Sequence, residues 1–144
     1  MRYGIKVSKN ENGEFHVTCR DVPECDYIAQ ASNEAEAVET SSEALPAAMV
    51  LFYRKKHTAI PLPSPVEEGE SIAYVPTRVQ AKILLWNYML ENRYRLTDLA
   101  KALGVKPTQA QRLIDLSTDR ASMEALDEAL RAIGASFDLS ITKN

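Results

Sequence analysis

LTDLAKALGVKPTQAQRLIDL, residues 96 to 116, is the stretch that decides how the second half of the chain is built. Its first eight residues set Leu96, Leu99, Ala100 and Leu103 along one apolar stripe, the period of a short amphipathic helix. Gly104 follows where a helix ends in a left-handed residue, a conformation glycine adopts without a Cβ penalty. Val105 is expected as a hydrophobic plug after the turn. Pro107 can open a second helix, because a first-turn residue needs no backbone N–H. That helix, Pro107 to Leu116, should bury Ala110, Leu113 and Ile114 and turn Thr108, Gln109, Gln111 and Arg112 outward. Two short helices, a glycine turn and the small Ala100 at their crossing make a helix-turn-helix.

Helical hairpins also occur as plain structural elements, and the outward face separates this one from them. A merely solvated face usually carries Glu and Lys, whereas this face carries Thr, Gln, Gln and Arg. Gln can pair bidentately with adenine and Arg with guanine. The second helix is therefore the candidate reader of a major groove, through Thr108, Gln109, Gln111 and Arg112. Lys106 and Arg120 are placed for phosphates. The pattern resembles the DNA-binding domains of phage repressors.

A chain of 144 residues, 45% hydrophobic and 26% charged, has room for one ordinary domain or two small ones and the composition of a folded protein. No apolar run approaches bilayer length, and MRYGIKVSK lacks a signal-peptide core, so a cytoplasmic protein is expected. Two cysteines, Cys19 and Cys25, are too few for a disulfide framework. The net charge of −3 is unevenly spread. Residues 1–76 hold 7 basic and 12 acidic side chains, net −5, and residues 77–144 hold 10 and 8, net +2. This asymmetry predicts two modules with different partners, divided near residue 76. An excess of +2 is small for phosphate binding, so two copies should act together on DNA.

From the N-terminus, Tyr3, Ile5 and Val7 alternate with polar residues, as do Phe15, Val17 and Cys19. With the turn Asn10–Gly13 between them, residues 2–8 and 14–20 read as a β-hairpin. Tyr27 to Ala31 is a third short strand. Ser32 or Asn33 should cap a helix that carries Ala35, Val38, Leu45, Ala48, Met49 and Phe52, kinked or restarted by Pro46 and ended by Arg54, Lys55, Lys56 and His57. IPLPSP, residues 60–65, can be neither helix nor central strand. After an acidic loop, Glu67 to Glu70, comes a last strand, Ile72 to Val75. The first module thus reads β-β-β-α-β, and the chain as α+β. Thr77 should cap a broad apolar helix with Val79, Ile83, Leu85, Trp86, Met89 and Leu90. Ser122 should cap a last helix with Met123, Leu126, Leu130 and Ile133 inward and Gly134 at its end. Phe137, Leu139 and Ile141 alternate beyond it, as a strand or an extended tail open to pairing.

No catalytic constellation stands out. Asp21, Glu24 and Asp26 lie in one loop, whereas a two-metal site needs carboxylates converging from separate elements, so they read as a turn or a protein-contact surface. His16, Cys19 and Cys25 lack the paired spacing and the fourth ligand of a zinc site. Cys19 continues the inward alternation. His16 and His57 have no evident catalytic partner, and Ser64 is explained by turn chemistry. Phosphate-loop motifs are absent. Neither a metal, a cofactor nor an enzymatic activity is expected.

Taken together, MRYGIKV, Asp21-Val22-Pro23-Glu24, the Glu34–Leu45 helix, IPLPSP, TRVQAKILLWN and the terminal helix-turn-helix resemble HicB antitoxins over nearly the whole chain. Cys25, in place of a small or apolar residue, and Pro46 depart from that pattern. The resemblance implies a partial ribonuclease H-like domain over residues 1–76 that neutralises a HicA toxin, an mRNA-cleaving ribonuclease. Asp21, Glu24 and Asp26 are its candidate toxin contacts. Residues 77–144 would then form a helix-turn-helix domain that binds operator DNA as a homodimer or higher oligomer and represses the operon. The alternative is a stand-alone helix-turn-helix regulator whose first domain senses a ligand. An RNA-cleaving or RNA-binding enzyme has the least support. A short neighbouring gene for a basic protein would separate the first reading from the second.

Overall fold

The computed structural model describes residues 1–117 and 121–143. It is a mixed α+β structure, and its contacts divide it into two compact units, Met1–Gln80 and Ala81–Asn144.

The first unit is built on a four-stranded antiparallel sheet of strands β1 (Arg2–Lys9), β2 (Phe15–Cys19), β3 (Asp26–Ala29) and β4 (Ser71–Tyr74), ordered β3-β2-β1-β4. The hairpin turn between β1 and β2 is closed by Asn10, whose side-chain oxygen accepts from the backbone N–H of Asn12 and Glu14, while Gly13 takes φ 78°. The register sets Ile5 opposite Cys19 and Tyr3 opposite Ala73, and all four are buried. Helix α1 (Glu34–Met49) lies against this sheet, with Ala37, Leu45, Ala48 and Met49 buried. Strand alternation sends the other side chains to the opposite face, where Lys6, Asp26, Ile28, Ile72 and Tyr74 are exposed.

Several expectations need correction. Strand β3 covers Asp26–Ala29 rather than Tyr27 to Ala31, because its ladder with β2 begins at the pair Thr18–Asp26 and ends at Phe15–Ala29. Strand β4 stops at Tyr74, and the Val75 N–H turns instead to the Met1 carbonyl. Helix α1 does not restart at Pro46 but runs through it, with Asn33 as its N-cap accepting from Glu36 N–H at 2.9 Å. It then widens into a π-helical turn, Val50–Arg54, where Lys55 N–H reaches back five residues to the Val50 carbonyl.

The segment after α1 is fastened from two sides. The buried Tyr3 hydroxyl donates to the Pro61 carbonyl at 2.6 Å. Arg20, at the end of β2, donates to Ser64 Oγ and the Pro65 carbonyl at 2.8 Å each and to Glu70 Oε1 at 2.9 Å. The Glu70 side chain is only 1% exposed and lies over Gly4, where an added Cβ would collide with Oε1. Glycine at position 4 makes room for that carboxylate.

Helix α2 (Thr77–Glu91) begins at Thr77 itself, so Thr77 is its first residue and not its cap; Pro76 supplies the first accepting carbonyl, to Gln80 N–H. Ile83, Leu85, Trp86 and Met89 are buried as expected, whereas Val79 and Leu90 are half-buried. The second unit continues with α3 (Leu96–Leu103), α4 (Pro107–Ile114) and α5 (Met123–Ala132). Leu99, Ala100, Ala110, Ile114, Leu126, Ala129, Leu130 and Ile133 are buried. Ser122 caps α5 by accepting from Ala125 N–H, and Gly134 follows at φ 91°. The tail beyond forms no strand among the described residues, and it leaves Leu139 74% and Ile141 100% exposed.

Candidate nucleic-acid interface

Helices α3 and α4 realise the helix-turn-helix. Arg95 N–H donates to the Asp98 carboxylate at 2.8 Å, closing the start of α3, and this bond holds the Asp98 carboxyl below its ordinary value. Gly104 ends α3 in the left-handed region at φ 68°, with its N–H returned to the helix carbonyls. Lys106 has extended backbone before Pro107 opens α4.

On α4 the inward residues are Ala110 and Ile114, with Leu113 half-buried. Thr108, Gln109, Gln111, Arg112 and Lys106 are all exposed. The side chains of Thr108, Gln111 and Arg112 have no hydrogen-bond or ionic partner among the described residues, so their polar groups remain available for base edges. Gln109 differs. Its side-chain oxygen accepts from Lys106 N–H at 3.1 Å, which closes the first turn of α4, while its amide N–H groups have no partner among the described residues. Arg120 falls outside the described residues. Val105 is not the expected plug: it is 38% exposed and borders a shallow groove with Leu103, Gln109, Arg112 and Leu113. Ala100 on α3 and Ala110 on α4 are the buried small residues beside it.

One contributor escaped the sequence reading. Lys82, on α2, is 1% exposed and donates from Nζ to the Asp115 carbonyl at 2.7 Å. Asp115 is the residue at which the chain leaves α4, and its carboxylate accepts from Ser117 N–H and Oγ. The signal was present: Lys82 stands four and seven residues before Trp86 and Met89, on the apolar stripe rather than beside it.

The acidic loop of the first unit is dispersed. Asp21 accepts from Ser64 N–H and Oγ, Glu24 accepts from the Tyr53 hydroxyl, and Asp26 meets His16 Nε2. His16 therefore has an acidic neighbour on the exposed face of the sheet. Ser64 is held by Asp21 rather than by a local turn. Among the described residues no three His, Cys, Asp or Glu side chains converge as a metal site would require. Cys19 and Cys25 are both buried free thiols, and burial pushes Cys25 up to about 11. Glu24 and Asp26 remain exposed, and Asp21 is half-buried.

Residues 2–84 match the family model described as HicB_like antitoxin of bacterial toxin-antitoxin system. The chain is 31% identical to Antitoxin HicB 2 of Photorhabdus laumondii over 139 residues, 96% of this chain and 95% of that protein. It is 33% identical to Antitoxin HicB 1 of the same organism, over 98% of this chain and 87% of that one. Antitoxin HicB of Escherichia coli (strain K12) is 31% identical over 96% and 98% of the two chains. No helix among the described residues is long and apolar enough to cross a membrane.

Proposed function

We propose that this chain, which belongs to the HicB family of antitoxins of bacterial toxin–antitoxin systems, binds and inhibits a HicA-type mRNA-cleaving toxin and represses its own operon through α4. The observation that carries the reading is the pairing of parts in one chain. A module matched by the antitoxin family model is followed by a helix-turn-helix whose reading helix exposes Thr108, Gln109, Gln111 and Arg112. Family membership favours this function over a stand-alone regulator with a ligand-sensing domain.

The division of labour follows the charge. Residues 1–76 carry a net −5, complementary to a protein that binds RNA, and this charge would steer association while apolar contacts hold the complex. Glu24 and Asp26 are the exposed acids offered to the toxin, and Asp21 supports the Ser64 segment beside them. The protein acts without a cofactor and is not an enzyme. A single reading helix covers few base pairs, so two copies place two such helices roughly 34–36 Å apart on a palindrome. The apolar residues of α2 are already mostly buried within the chain, which leaves the exposed Leu139 and Ile141 as the candidate surface for that pairing.

The test uses the full chain and the small basic ribonuclease encoded beside it. Titration should suppress RNA cleavage at stoichiometric ratio, and the same chain should shift DNA from upstream of the operon. Unimpaired cleavage at saturating chain would refute the antitoxin reading, and equal affinity for upstream and scrambled DNA would refute the repressor reading.

A further inference from the structure

We infer that Lys82 is a positioning residue for sequence-specific DNA reading: its buried ammonium fixes the C-terminal end of α4 and so sets where Gln111 and Arg112 meet the bases. The inference rests on the proposed reading of DNA by α4. Three observations meet at this point. The ammonium is withdrawn from water on α2, at 1% exposure, where a cation is costly unless it is satisfied. Its bond, 2.7 Å long, goes to the Asp115 carbonyl, one of the acceptors a helix leaves unsatisfied at its end. A cation there also complements the negative end of the helix dipole.

The geometry explains why α4 needs such a device. It is eight residues long, about 12 Å, and too short to be stable by itself. Its N-terminal turn is closed internally by Gln109, but its C-terminal end has no glycine cap: Asp115 leaves the helix in extended backbone at φ −83° and ψ 113°. The closing bond comes instead from another helix. Gln111 and Arg112 lie four and three residues before Asp115, in the turn that this bond anchors. Bidentate base contacts tolerate little displacement, so slack at this end is read out as lost discrimination rather than as lost affinity for phosphates.

The experiment compares the full chain with Lys82→Met, which keeps the apolar stem and removes the donor. The probe is the tightest-binding duplex that the parent chain selects from a random-sequence library, set against its scrambled counterpart at several salt concentrations. With helix content retained by circular dichroism, Lys82→Met should lower the ratio of selected to scrambled affinity by roughly tenfold and leave the salt slope unchanged. Lys82→Arg, which keeps a cationic donor, should recover part of the ratio. An unchanged ratio in folded Lys82→Met overturns the inference, as does a uniform loss on both duplexes with a flatter salt slope. If Lys82→Met fails to fold, Lys82→Gln is measured in its place. A parental ratio in folded Lys82→Gln, or failure of that variant to fold as well, overturns the inference too. A parent chain that selects no sequence refutes the reading of DNA by α4 itself, a result distinct from a discriminating parent beside an equally discriminating variant.

Discussion

Replacing Arg20 with Met tests what fastens the segment after α1. The substitution keeps a stem of similar length and removes bonds of 2.8–2.9 Å to Ser64 Oγ, the Pro65 carbonyl, Glu70 and Glu67. The Glu70 carboxylate, 1% exposed, is left with the Glu67 N–H at 2.8 Å as its remaining bond among the described residues. Breaking a fully buried ion pair from one side costs about 3–5 kcal/mol. Arg20 is itself 28% exposed, so water can reach the vacated site, and the expected loss falls to about 2–3 kcal/mol. In urea unfolding followed by circular dichroism, an m-value near 2 kcal/mol/M converts that loss to a midpoint lowered by roughly 1–1.5 M. Glu67→Gln is the contrast: its carboxylate is 69% exposed, and its loss should cost under about 0.5 kcal/mol. Adding Glu70→Gln to Arg20→Met should return part of the stability, since a neutral amide tolerates the site better than a stranded charge. If Arg20→Met costs the same with and without Glu70→Gln, the two residues are not coupled and the reasoning fails.

Gln111→Ala and Arg112→Ala should each cost about 1–3 kcal/mol on selected DNA and relax base preference, whereas Lys106→Ala should weaken all duplexes alike and flatten the salt dependence; competition binding at several salt concentrations distinguishes the two. Trypsin should cut first within residues 92–95, where exposed Arg93 is held at φ 60°, and first tryptic cleavage elsewhere in the parent would contradict this; the 67–71 loop, which holds Glu67, Glu68 and Glu70, should become sensitive to a glutamate-specific protease in Arg20→Met. Burial pushes Cys25 up to about 11, and burial together with the Glu24 carboxylate pushes Tyr53 up to about 12. Both are neutral acids whose folded values lie above their unfolded ones, so their contribution is complete below about pH 9 and is lost as pH rises towards 12. Urea midpoints that stay flat through that window, or begin to fall well below it, would contradict the assignment.

The α+β character and the helix-turn-helix were legible because both rest on periodicity. Alternation of Tyr3, Ile5, Val17 and Cys19 marks inward strand positions, and Gly104 and Pro107 mark the turn. Ends of elements were less legible, because β3 and β4 stop where their ladder partners stop, which local sequence does not state. Pro46 was given more power over α1 than it has: it lacks one N–H, but the buried face on both sides of it keeps the helix going. Long-range polar contacts were invisible. Asp21 to Ser64, Arg20 to Glu70 and Lys82 to Asp115 join residues 33 to 50 positions apart, and residue type alone assigns no such partners.

Gln109 has a consequence for how a repressor of the proposed kind would diverge. Its side-chain oxygen already accepts from the Lys106 N–H, which ties the orientation of the amide to the first turn of α4. Changing it would alter the entry of α4 together with the proposed DNA contact. Thr108, Gln111 and Arg112 carry no such tie among the described residues. A duplicated operon could therefore be insulated from its parent by exchange at those three positions with the scaffold left alone, while residue 109 would be the last letter to drift.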